Sequence, residues 1–198
     1  MSKITVPKYI EIFTESTPNP RTLKFLFNFM LLPNSILECS KIEDSNSSIL
    51  AKELLELGDI SSVFISNNFI TLTKTENTDK EWFELTIELK EFFKIFFQSG
   101  KKAIEDDYLE NIIEKKKIST EHHGEIEKKI QILLDKYVKP AVTKDGGNIA
   151  FIEFDNGIVK VELQGACSGC PSANITLKNG IEALLKKMIP EVEEVVSV

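Results

Sequence analysis

Arginine is almost absent from this chain. The 24 basic residues include one arginine, Arg21, and 31 acids bring the formal net charge to -7. A phosphate backbone is gripped by clustered Lys and Arg, and arginine supplies the bidentate contact, so no nucleic-acid partner is expected. Cysteine is scarce too: there are 3 among 198 residues, namely Cys39, Cys167 and Cys170. That is no disulfide framework, so the expected compartment is a reducing cytoplasm. Long apolar runs are also missing. The most apolar stretch, FLFNFMLL at 25–32, is too short to cross a bilayer and carries Asn28 in its middle, so no membrane partner is expected. The opening MSKITVPKYIEIF lacks an apolar signal core, a small-residue cleavage site and the Arg-rich, acid-poor character of a transit peptide. Internal repeats and low-complexity tracts are absent.

What remains is an ordinary globular composition, 42% hydrophobic and 28% charged, on a chain long enough for two small domains with a core each. To about residue 98, strands and helices mix. YIEIFTE (9–15) and TLKFLFNF (22–29) read as strands around a break at STPNP (16–20). ILAKELLEL (49–57) reads as a helix capped by Ser48 and stopped by Gly58. ISSVFIS and FITLTK flank Asn67-Asn68 as a hairpin. Leu85, Leu89, Phe92, Phe93 and Phe96 form a helical stripe that stops near Gly100, with Phe97 off the stripe and expected outside. Residues 99–123 are charge-rich and weakly periodic, a linker with room for one short helix around Tyr108 to Ile113. His122-His123 and Lys115-Lys116-Lys117 within it read as solvated.

A second periodic unit follows. Ile126, Ile130, Leu133, Leu134 and Tyr137 make one helical stripe, expected to end near Pro140. NIAFIEF and IVKVELQ are strands joined by Asp155-Asn156-Gly157, and Asn-Gly is the strongest short hairpin signal. Val159, Val161 and Leu163 alternate with Ile158, Lys160, Glu162 and Gln164, giving one buried and one wet face. After a CxxC loop, Leu177, Ile181, Leu184, Leu185 and Met188 mark a helix, and VEEVVSV closes the chain as a strand. The expected fold class is α+β: two small α+β domains, 1–98 and 124–198, joined by the charged linker 99–123. The second has the order helix-strand-strand-helix-strand, with the CxxC loop before a helix.

That loop, QGACSGCPSA at 164–173, holds the chemistry. Gly165, Ser168 and Gly169 let the backbone wrap two sulfurs, and Pro171 suits a first helical position. A helix N-terminus favours thiolate, the form that binds metal. Three reactive readings stay open on spacing alone. A dithiol–disulfide oxidoreductase is one, weakened because Pro171 starts the helix after the second cysteine. A structural zinc site is another, but Cys39, His122 and His123 are distant in sequence and not in ligand-like spacing. The third is a shared site, where two chains each give two thiolates to a zinc ion or an iron–sulfur cluster. Cys39, with no paired neighbour, reads as a buried small hydrophobe.

The residues from VKPAVTKDGGNIAFIEF through VELQGACSGCPSANITLKNGIEALLKKMIPEVEEV closely resemble the C-terminal domain of NifU, the Nfu domain. The landmarks are Asp145-Gly146-Gly147, Gly165-Ala166, Cys167-Ser168-Gly169-Cys170-Pro171 and Ile189-Pro190. TPNPRTLKF (17–25), SSVFISNNFITLTK (61–74) and FFQSG (96–100) resemble the N-terminal domain of two-domain Nfu proteins. The resemblance implies a labile [4Fe-4S] cluster shared between two chains, with Cys167 and Cys170 as its ligands, and a homodimer when cluster-bound. It implies an upstream scaffold as donor, apo iron–sulfur proteins as recipients, and no catalytic residue. Nothing matches the separate three-cysteine scaffold domain of full-length NifU, so a carrier is expected. Two departures stand out. Asn148 follows Asp-Gly-Gly where the family commonly has an acid, and Arg21 sits where a small polar residue is usual.

Overall fold

The computed structural model describes residues 5–105, 107–109, 124–169 and 177–198. The chain divides into two compact units, Met1–Glu114 and Lys115–Val198. Of the expected linker helix, Asp107–Leu109 are helical, and the rest lies outside the described residues, as do His122, His123 and Lys115–Lys117. Among the described residues no helix is long and apolar enough to cross a membrane.

The first unit is built on a five-stranded antiparallel sheet in the order β1-β2-β5-β4-β3. Its strands are β1 (Ile12–Ser16), β2 (Thr22–Phe27), β3 (Leu32–Cys39), β4 (Ile60–Asn67) and β5 (Phe69–Lys74). Helix α1 (Ile49–Glu56) starts where the Ser48 hydroxyl accepts from the Ala51 N–H at 3.0 Å, and Gly58 turns the chain at φ +80°. Asn67 takes φ +45° in the tight β4–β5 turn, a conformation asparagine tolerates. Helix α2 (Trp82–Gln98) lays phenylalanines across β2: the Phe93 ring meets Phe25 at 5.4 Å and Phe27 at 5.2 Å, both edge-on.

Phe97 is buried, against expectation. It packs edge-on to Phe27 and Phe29, because Phe29, just past β2, extends the apolar floor beneath the last turn of α2. Strand β3 and the 3₁₀ turn Ile42–Ser47 were not anticipated. Pro33, Asn34 at φ +53° and a bulge between Leu32 and Ile36 interrupt the alternation that marks a strand.

The second unit pairs β6 (Gly147–Asp155) antiparallel to β7 (Ile158–Gly165), and β7 parallel to β8 (Glu194–Ser197). A parallel neighbour needs a crossover, supplied here by helix α5 (Lys178–Met188). Asn156 and Gly157 turn the hairpin with φ +46° and +81°, and β7 alternates buried and half-exposed residues as its sequence foretells. The leading helix does not stop at Pro140. It runs as α3 (Glu125–Leu133), a π-turn (Leu134–Val138) and α4 (Lys139–Lys144). The wider turn lets the chain pass a proline that has no N–H to give. The extra residue also shifts the buried face from Tyr137, which is 51% exposed, to Val138 and Val142. Met188, at the end of α5, is likewise exposed. The core gathers Ile130, Leu134, Ile149, Val159, Val161, Ile181 and Leu185.

Cys39 is buried as expected, and burial, helped by Asp44 and Glu38, pushes its thiol up to about 11 from 9.0. The unfolded chain then ionises first, so the stability carried by the neutral thiol is whole below about pH 9 and is lost as pH rises toward about 11. Urea unfolding of wild type and Cys39→Ala should therefore converge in stability across that window. Parallel pH profiles would contradict the assignment.

Candidate functional site

The hairpin's open end carries the candidate site. Gly147 begins β6 directly opposite Gly165, the last residue of β7, and Asn148 lies opposite Gln164. Gly146 and Gly165 both take left-handed backbone, at φ +84° and +64°, as does Gly169 at +66°. These turns fold the chain back on itself. The Ala166 N–H donates to the Gly146 carbonyl at 3.2 Å, and the Ser168 N–H to the Gly165 carbonyl at 3.1 Å. Asp-Gly-Gly thus packs beside the cysteine loop.

Cys167 is drawn inward. Its side chain joins the apolar cluster that contains Ile149 and Leu163, while Ser168 and Gly169 emerge into solvent. Gly147 is what makes room. A β-carbon there would stand 2.7 Å from the Cys167 Sγ and 2.6 Å from the Gln164 carbonyl oxygen, closer than real β-carbons come to any atom. The thiol therefore rests against bare backbone. Cys170, the second expected ligand, lies outside the described residues, as does the helix start expected at Pro171. Cys39 sits in β3 of the first unit, in that unit's own core. Among the described residues no three His, Cys, Asp or Glu side chains gather as a metal site.

The two departures have structural partners. Arg21 reaches Glu76 at 2.7 Å and the Lys74 carbonyl at 3.0 Å on the first unit's surface. Asn148 is buried, and its Nδ2 donates to the Gln164 Oε1 at 2.8 Å, while the Gln164 Nε2 donates to the Glu162 Oε2 at 2.7 Å. Sequence alternation had marked Gln164 and Glu162 only as a wet face. A pairing register was needed to bring them to Asn148.

Two family models cover most of this architecture. The NifU-like domain matches residues 130–196, and the scaffold protein Nfu/NifU N-terminal domain matches 12–100. The human protein named "NFU1 iron-sulfur cluster scaffold homolog, mitochondrial" is 36% identical over 95% of this chain and 72% of its own length. The chain belongs to the Nfu family. Proteins of the same name from Drosophila willistoni and Drosophila grimshawi are each 37% identical over 93% of this chain. This Nfu-family chain spans 62% and 60% of their lengths, less than two thirds. A solution NMR structure of a NifU-like protein from Saccharomyces cerevisiae is similar at TM-score 0.42 and 24% identity, over 54% of this chain and 93% of that one.

The close approach at Gly147 makes a prediction. Gly147→Ala should lower the urea midpoint of unfolding, by about 1–3 kcal/mol in stability, since backbone on both sides must move. Gly180→Ala in α5, where a β-carbon meets nothing within 4 Å, should be neutral or stabilising by about 0.5–1 kcal/mol. Equal effects of the two would refute the contact.

Proposed function

We propose that this chain is an iron–sulfur cluster carrier. Its cargo is a labile [4Fe-4S] cluster held between two copies, each supplying Cys167 and Cys170, and passed on to apo-proteins. The observation behind this is the Cys167 thiol seated against Gly147 in a glycine-shaped loop, with a second cysteine three residues on. Thiolate suits iron, and two thiolates from each chain complete the four-sulfur shell such a cluster takes.

A half-share of ligands fits delivery. An incoming apo-protein thiolate competes for one iron at a time, and each exchange replaces one sulfur by another. No turnover chemistry is involved, so no general acid, base or nucleophile is assigned. The donor is an upstream assembly scaffold. The setting is a reducing one, either the cytoplasm that the sequence favours or the mitochondrion that appears in the relatives' names. Residues 1–98 form the domain that selects recipients, 99–123 the linker, and 124–198 the domain that holds cargo.

Anaerobic reconstitution with iron and sulfide tests the ligands. Wild type and Cys39→Ser should both develop a broad brown absorption band, and Cys167→Ser or Cys170→Ser should lose it, because two thiolates per chain leave no spare. A cluster retained by Cys170→Ser and lost by Cys39→Ser would overturn the assignment. A colourless zinc-loaded dimer would favour a structural site, and catalysed disulfide reduction a dithiol enzyme.

Delivery is tested separately. Removing residues 1–98 should leave cluster uptake nearly intact but slow activity recovery for some apo-enzymes and not others, since tethering raises effective concentration only for partners the first domain engages. Equal rates on every recipient would sink the selecting role.

A further inference from the structure

Beside the cysteine loop, three polar side chains stand in a row on one face of the β6–β7 hairpin. Asn148 is opposite Gln164, and Glu162, two residues back along β7, is opposite Ala150. The hydrogen bonds run one way, from the Asn148 Nδ2 to the Gln164 Oε1 at 2.8 Å, then from the Gln164 Nε2 to the Glu162 Oε2 at 2.7 Å.

The chemistry at the far end fixes this direction. A carboxylate only accepts, so the Gln164 amide must turn its nitrogen toward Glu162 and its oxygen toward residue 148. Residue 148 must then donate. Asparagine can, and aspartate cannot. The acid common in the family at this place would face the Gln164 amide oxygen, two acceptors with no donor between them, and would bury a carboxylate there.

We infer that Glu162 sets the direction of this relay and that Asn148 is thereby a positioning residue for Cys167. The Asn148–Gln164 pair ties the first residues of β6 to the last residues of β7. Its neighbours in the chain are the facing pair Gly147 and Gly165, and Gly147 is the residue against which the thiol lies. Asparagine at 148 and glutamate at 162 are therefore coupled choices. The role for Cys167 rests on the carrier reading above, whereas the relay itself does not.

The full-length chain with Cys39→Ser and Cys170→Ser leaves Cys167 as its one cysteine. Cys167 is buried, so its reaction with a disulfide reagent such as dithiobisnitrobenzoate reports local opening of the loop. In that background Asn148→Asp should speed labelling roughly tenfold, the upper scale of one lost hydrogen bond between neutral groups. Glu162→Gln alone should stay within about twofold of the parent, since a glutamine at 162 can still accept. The pair Asn148→Asp with Glu162→Gln should restore the parent rate, because the new amide can donate and the relay reverses. If Asn148→Asp fails to fold, the double variant decides alone: folded with parent-like labelling upholds the relay, and unfolded overturns it. Parent-like labelling in folded Asn148→Asp, or no rescue by Glu162→Gln, also overturns it. With native cysteines restored, loss of cluster to a chelator should rank the same variants in the same order. Coupling in the labelling alone, with no cluster taken up by any variant, would uphold the relay and sink the cargo. A cluster equally stable in all variants would sink the positioning role.

Discussion

A hydrogen atom at residue 147, where any other amino acid has a carbon, lets the Cys167 sulfur lie against the start of β6. Everything near the site is arranged around that approach. The facing pair Gly147 and Gly165 leaves this end of the hairpin bare of side chains, and the backbone is left-handed at Gly146 and Gly165. One face of the hairpin buries Ile149, Val161 and Leu163 in the core that the helices share, and the other carries the amide relay. A thiol so held is already ordered, and ordering is the main cost a loop side chain otherwise carries on binding.

Much of this was legible from local signals. Asp155-Asn156-Gly157 announced the hairpin, the strict alternation in β7 announced its buried face, and Ser48 and Gly58 bracketed α1. Each of those depends on neighbours a few residues away. The misses share the opposite property. Phe97 is buried because Phe29, far off in sequence, lies beneath it, and Tyr137 is exposed because a π-turn ahead of Pro140 rotates the helix by one residue. Strand β3 pairs in spite of Pro33 and Asn34, since β4 offers it a partner.

The site divides along the same line. The two cysteines and the glycines around them were visible as a motif. The reason Gly147 must be glycine was not, because it is a contact between residues 20 positions apart that only the register creates. Asn148 looked like a lost charge. Opposite Gln164, with Glu162 behind it, it is the donor that the hairpin's polar face requires.

Sharing cargo between chains is the central claim, and native mass spectrometry of the anaerobically loaded protein tests it most directly. Two thiolates per chain predict that iron and sulfide appear only at the mass of two chains, in the four-iron, four-sulfide ratio of one cluster, and that removing the cluster returns single-chain mass. A four-iron cluster riding on one chain, or zinc in its place, would contradict it.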